Sequence, residues 1–164
     1  MLNIITGRRS YLSRSLKKKL KDFLLFSYED YLKFKTNKKY NLIINSFYPS
    51  NKISSIKEYE TFYRSSILSL SKILDKAKKE KINKILYTSS SAIYGSINLQ
   101  LSVKNDLNRN LYASTKLACE SMVSNFCSKN KTALIITRLF NMYGYNENFS
   151  FISRLVNSFL KKKR

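Results

Sequence analysis

Tyr112 and Lys116 stand four residues apart, the spacing at which two side chains share one helix face. A phenol held beside an ammonium can exchange a proton with a hydroxyl or ketone oxygen. A free tyrosine titrates near ~10 and is a poor base at neutral pH. A cation at this spacing stabilises the phenolate and pulls that value down by roughly 2 to 3. Taken alone, such a pair is commonly surface decoration in a chain with 12 tyrosines and 31 lysines and arginines. The chain has no histidine, so imidazole is excluded as a base, and no metal site of ordinary zinc spacing is expected.

The surroundings of the pair carry more. Upstream lies a run of hydroxyls, Thr88, Ser89, Ser90 and Ser91, which leads to Tyr94-Gly95; downstream lies Arg138-Leu139-Phe140-Asn141-Met142-Tyr143-Gly144. Only three glycines are present, at Gly7, Gly95 and Gly144, and each ends or follows an apolar run of strand length. Gly7 closes Ile4-Ile5-Thr6 just before a helical segment. A tight turn there can aim unpaired backbone N–H groups at a phosphate.

These residues need a scaffold, and the chain supplies one. Apolar runs at 2–5, 23–26, 42–44, 85–87 and 134–136 have strand length. Leu12, Leu16 and Leu20 repeat every four residues, and Phe62, Leu70, Ile73, Leu74 and Ala77 make one face of a helix expected over 59–81. Further helices are expected over 112–128 and 149–161. Alternation of buried strands with helices predicts an α/β fold with a parallel sheet covered on both faces. Ligands then bind beyond the carboxyl ends of the strands, which directs attention to residues 6–13 and to the segment after Tyr87.

A glycine turn after the first strand, a serine-rich strand end leading to Tyr-Gly, Tyr-x-x-x-Lys and Arg-x-x-Asn-x-Tyr-Gly occur here in one order between Ile4 and Gly144. In this the chain resembles the extended short-chain dehydrogenases/reductases, the NAD(P)-dependent nucleotide-sugar epimerases, reductases and dehydratases. The resemblance implies a Rossmann-like, doubly wound parallel sheet over residues 1–148. Residues 149–164 would then begin a truncated substrate domain that is largely absent. It also implies a cofactor turn of Thr6, Gly7, Arg8, Arg9, Ser10, Tyr11 and Leu12. Lys116 would hydrogen-bond the nicotinamide ribose. Tyr112 would exchange the proton of a sugar hydroxyl or ketone as hydride moves, and Ser90, four residues before Tyr94, would hold the same oxygen. The neighbours Ser89 and Ser91 remain alternatives to Ser90. Asn141 would lie on the substrate side. A homodimer through the helices at 59–81 and 112–128 is expected on the same ground.

Three departures from the family pattern shape the expected function. Ser10 and Ser13 replace two of the three turn glycines, so pyrophosphate binding should be weakened but kept. No acid immediately follows the second strand at Phe26-Ser27-Tyr28, while Arg8 and Arg9 stand in the turn. A guanidinium there can pair with a 2′-phosphate, which favours NADP over NAD. Ser91 and Ala92 occupy the place of the acidic pair of the sugar dehydratases, which favours an epimerase or ketosugar reductase acting on a nucleotide sugar. The alternative is a non-catalytic remnant that keeps the fold or the dinucleotide site.

The formal net charge of +21 invites a nucleic-acid reading. The basic residues are scattered, however, with short clusters at 17–19, 78–84 and 161–164 on polar faces or helix ends. A bias toward lysine explains them without a specific nucleic-acid partner. Cys119 and Cys127 are eight apart on a helix, roughly 12 Å, too far for a disulfide. No apolar run approaches the roughly 18 residues of a membrane span, and a cytoplasmic setting is expected.

Overall fold

The structure is a computed structural model that describes residues 1–20, 22–45, 59–95, 111–144, 147 and 150–162. Five parallel strands, β1 (Leu2–Thr6), β2 (Phe23–Phe26), β3 (Tyr40–Ile44), β4 (Ile82–Ser90) and β5 (Ala133–Leu139), form one sheet in the order β2-β1-β3-β4-β5. Each expected strand is present, most of them longer than the apolar run that announced it. The chain moves outward from β1 to β2, then returns past β1 to β3 and continues in the other direction. That reversal opens a crevice at the carboxyl ends of β1 and β3.

The helices follow from the same reversal. α1 (Tyr11–Lys19) connects β1 to β2. α2 (Tyr28–Lys33), α4 (Ser69–Ala77) and α5 (Leu111–Lys129) pack in succession, α2 on α4 and α4 on α5. With right-handed crossovers, α1 covers one face of the sheet and these three the other. Their apolar stripes make the core: Leu70, Ile73 and Leu74 of α4 and Cys119, Val123 and Cys127 of α5 close over Ile4, Leu42, Ile44, Ile85 and Tyr87. Full burial of an isoleucine or leucine stabilises the fold by about 1.5–3 kcal/mol. Both cysteines are free thiols inside this core.

Several details differ from the expectation. The helix expected over 59–81 is interrupted: α3 (Tyr59–Tyr63) passes through a π-helical turn, Arg64–Leu68, into α4. Ser69 Oγ donates to the Arg64 carbonyl within it at 2.7 Å, so a side chain supports the widened turn. α1 stops at Lys19, leaving Leu20 as its C-cap and 41% exposed. The six-residue α2 is too short to show apolar periodicity. It is nucleated instead by a capping box, in which Ser27 Oγ accepts from the Asp30 N–H and the Asp30 carboxylate accepts from the Ser27 N–H. α6 (Phe151–Lys162) starts two residues later than expected, and its apolar side chains Phe151, Ile152, Leu155, Val156, Phe159 and Leu160 are exposed. The expected boundary between 148 and 149 falls outside the described residues.

Lateral order is fixed by side chains as well as backbone. Asn41 Nδ2 donates to Asn3 Oδ1 at 2.8 Å and Asn83 Nδ2 to Asn41 Oδ1 at 2.9 Å, an asparagine ladder across β1, β3 and β4. At the same end Tyr31, Tyr40, Glu80 and Lys76 form a chain of hydrogen bonds. These polar groups, Tyr31 and Tyr40 buried and the rest half-buried, are paired with one another.

Candidate active site

The turn after β1 is built on Gly7, whose φ of +85° is costly for any residue with a side chain. A Cβ there would also come within 3.3 Å of Asn45 Cβ. The Ser10 N–H closes the turn on the Gly7 carbonyl at 2.9 Å. Ser10 then becomes the N-cap of α1, its Oγ accepting from the Ser13 N–H. The first turn of α1 carries no acid. Its N-terminal N–H groups and dipole therefore present a site suited to an anion.

Ser10 and Ser13 are not loose replacements for glycine. Asn45, one residue beyond β3 and 5% exposed, reaches across the crevice to both. Its Nδ2 donates to Ser10 Oγ and to Ser13 Oγ, each at 2.7 Å. Its Oδ1 accepts from Thr88 Oγ1 at 2.7 Å, and its backbone N–H donates to Thr6 Oγ1 at 3.3 Å. Ser13 Oγ in turn donates to the Thr6 carbonyl at 3.2 Å. A glycine in the left-handed region, a capped helix end free of carboxylates and the basic Arg8 and Arg9 suit the pyrophosphate of a dinucleotide.

Arg8 stands in the turn already engaged. Its guanidinium pairs with Asp30 at 3.0 Å, and its N–H donates to the Phe26 carbonyl. An acid therefore does stand beside the end of β2, brought there by α2. The Ser27 hydrogen bonds and the Arg8 charge hold its carboxyl below the usual value, and partial desolvation opposes them. Arg9 is exposed, and Tyr11 packs against the chain at Gly144, where a Cβ would lie 2.7 Å from its hydroxyl. Gly144 is thus a close-approach glycine. Leu12 is half-buried on α1.

At the ends of β4 and α5 the structure brings Ser90, Tyr112 and Lys116 together. The Tyr112 phenol lies beside Ser90, whose hydroxyl favours the phenolate. The Ser90 hydroxyl also accepts from the Ala92 N–H, which turns the chain into a 3₁₀ turn, Ser91–Tyr94. Ser89, one residue earlier, is buried, and its hydroxyl has no hydrogen-bond partner among the described residues. Lys116 is 4% exposed and donates to the Thr88 carbonyl at 2.8 Å, with its nitrogen 5.8 Å from the centre of the Tyr112 ring.

The electrostatics differ from the expectation for Tyr112. Burial raises the phenol above its usual value, and the Ser90 hydroxyl offsets part of that. Burial likewise pulls the Lys116 ammonium down to about 8, while Cys119 and Glu120 pull it back up. In the free protein both groups sit closer to their neutral forms than the i, i+4 spacing suggests.

Behind the site, Arg138 of β5 forks onto Glu120 of α5, with Nε and Nη2 at 3.1 and 2.9 Å from the two carboxylate oxygens, and Nη1 donates to the Tyr94 hydroxyl at 3.0 Å. Tyr94 stacks on Phe140. This clamp fixes the 3₁₀ turn that begins at Ser90 and went unnoticed in the sequence. Asn141 is exposed on the segment after β5 and belongs to none of these networks.

The model of the NAD-dependent epimerase/dehydratase family matches residues 5–164. A dTDP-D-glucose 4,6-dehydratase of Dictyostelium discoideum is 30% identical over 127 residues, covering 68% of this chain and 29% of that protein. Among solved structures, the UDP-N-acetylglucosamine 4-epimerase of Methanobrevibacter ruminantium, in complex with UDP-N-acetylmuramic acid, superposes with a TM-score of 0.76 at 18% identity, covering 98% of this chain and 63% of that one. The UDP-glucuronic acid 4-epimerase of Bacillus cereus, in complex with UDP-glucuronic acid and NAD, superposes with a TM-score of 0.70 at 17% identity, covering 98% and 63%. The chain thus spans less than two thirds of the length of each.

Proposed function

The chain belongs to the NAD-dependent epimerase/dehydratase family, and from that premise we propose that residues 1–148 bind a nicotinamide dinucleotide at the Gly7 turn and serve a nucleotide-sugar epimerase or ketosugar reductase. The dinucleotide, when bound, supplies the hydride acceptor or donor. Tyr112 is the acid/base group, Ser90 holds it and the substrate oxygen, and Lys116 is the cation of the pair. The observation that carries the reading is the meeting of Tyr112 and Ser90 with a buried Lys116, whose nitrogen lies 5.8 Å from the centre of the Tyr112 ring. It lies at the same end of the sheet as the Gly7 turn.

Lys116 uses one of three N–H bonds on Thr88, which leaves others for a ribose hydroxyl. Ser91 and Ala92 form the 3₁₀ turn and supply no acid for water elimination, which favours epimerase or reductase over dehydratase. Asn141 faces the substrate side in this reading. Of the two cofactor forms, the Arg8–Asp30 pair moves the balance from NADP toward NAD. The carboxylate can accept from a ribose 2′-hydroxyl, whereas a 2′-phosphate must draw Arg8 away from it.

A second reading has a specific observation in its favour. Ser10 and Ser13 stand where the family pattern has glycine, a departure in keeping with a chain that binds without turning substrate over. Activity with UDP-sugars and NAD, compared between the wild type and Tyr112→Phe, separates the two. Turnover lost in the variant supports catalysis; binding with no turnover in either supports a binding protein.

A further inference from the structure

Asn45 touches every part of the turn that differs from the family's glycine pattern. Its amide donates to Ser10 Oγ and Ser13 Oγ, its carbonyl accepts from Thr88, and its Cβ crowds Gly7. We propose that Asn45 is a positioning residue: with Ser10, Ser13 and Thr88 it forms a hydrogen-bonded clasp that sets the shape of the phosphate turn, a task the family gives to two glycines. The inference rests on the dinucleotide reading above.

Serine at positions 10 and 13 adds a polar atom where glycine leaves space, and a buried hydroxyl needs a partner. Asn45 satisfies both hydroxyl oxygens with two hydrogens of one amide, while Thr88 satisfies the amide oxygen. Neither contact to Ser10 consumes its own hydroxyl hydrogen, because Ser10 Oγ is the acceptor in both. That hydrogen sits at the N-cap of α1 and is placed to donate to a phosphate oxygen. The clasp also ties the turn to β4, whose Thr88 carbonyl receives Lys116. One buried network therefore links the phosphate end of the crevice to the cation of the reacting end.

A consequence runs against the family pattern. Restoring glycine at 10 and 13 is expected from sequence alone to help binding or to leave it unchanged. With the clasp, it removes the Ser10 and Ser13 acceptors of the Asn45 amide.

The test is a titration with NADH, followed by nicotinamide fluorescence, on wild type, Asn45→Ala, the Ser10→Gly/Ser13→Gly double variant and the triple variant, each checked by thermal melting to be folded at the assay temperature. Loss of one or two such hydrogen bonds corresponds to about a tenfold weakening. Asn45→Ala and the double glycine variant should each weaken NADH about tenfold, and the triple variant should be little worse than either, because all break the same clasp. Asn45→Asp should bind worse than Asn45→Ala, with the gap closing as salt is raised. A carboxylate beside the turn repels pyrophosphate, which a purely structural role does not predict. Should Asn45→Ala fail to fold, the double glycine variant carries the comparison alone. Tighter binding in that variant, or additive effects in the triple variant, overturns the clasp while leaving the dinucleotide reading intact. No NADH binding by folded wild type overturns the reading itself, and the clasp's role in binding with it.

Discussion

The ammonium of Lys116 donates to the carbonyl of Thr88 at 2.8 Å inside a pocket that leaves it 4% exposed. A charge is thus kept in the interior at a position where an apolar side chain of similar length would fit. The folded-state value, about 8, lies below the 10.5 of a free lysine. Protonation therefore favours the unfolded chain. The penalty is full below about pH 8 and vanishes as pH rises past about 10.5, and its size is on the order of 3 kcal/mol.

Lys116→Met should consequently be as stable as the wild type, or more stable, at pH 7. The variant escapes the penalty and forfeits a hydrogen bond worth about 1.5–3 kcal/mol. Near pH 10.5 only the loss remains, and the variant should melt below the wild type. Melting temperatures of both proteins at the two pH values check this. A variant that is less stable by the same margin at both would show that the buried charge is not costly.

Ser90→Ala removes the hydroxyl that lowers Tyr112. The Tyr112 phenol should then titrate at still higher pH, read as the shift of its ultraviolet absorbance against Tyr112→Phe as a blank. Unchanged titration would place the Ser90 hydroxyl elsewhere. In turnover assays Tyr112→Phe should lose activity by at least about a hundredfold, with NADH affinity unaltered.

Glu120 is 6% exposed at its side chain and is the only carboxylate among the described residues that meets Arg138. Glu120→Ala leaves a guanidinium without its partner and should destabilise the fold by about 3 kcal/mol. Replacing both members with apolar residues should recover much of that. Urea denaturation of the single and double variants measures it, and a single variant within about 0.5 kcal/mol of wild type would mean the pair is not structural.

Asp30→Asn frees Arg8 from its ion pair. NADPH affinity should rise relative to NADH, by about tenfold if the guanidinium turns fully to the 2′-phosphate. Parallel fluorescence titrations give the ratio, and a ratio that moves the other way would remove Arg8 from the adenosine end.

Much of this molecule is legible in its sequence because the strands are short apolar runs and the principal helices carry periodic apolar faces. Leu42 and Ile44, or Leu70, Ile73 and Leu74, announce their burial by spacing alone. The site is partly legible for the same reason: Tyr112 and Lys116 are neighbours on one helix, and helix geometry guarantees their meeting. Asn45 is different. Its partners lie 32 to 43 residues away in the chain, and only the reversal of strand order at β1 brings them together. Asp30 escaped notice because α2 is one and a half turns long, although Ser27 and Asp30 have capping-box spacing. The direction of the Tyr112 shift is not legible in the sequence, because the spacing of Tyr112 and Lys116 is written there and the burial that raises the phenol is not.

The most direct test of the account is a fluorescence titration of the full chain with NADH and, separately, NADPH. Saturable binding of both is expected, tighter for NADH, with competition by ADP-ribose. Absence of saturable binding of either form by a folded sample would contradict it.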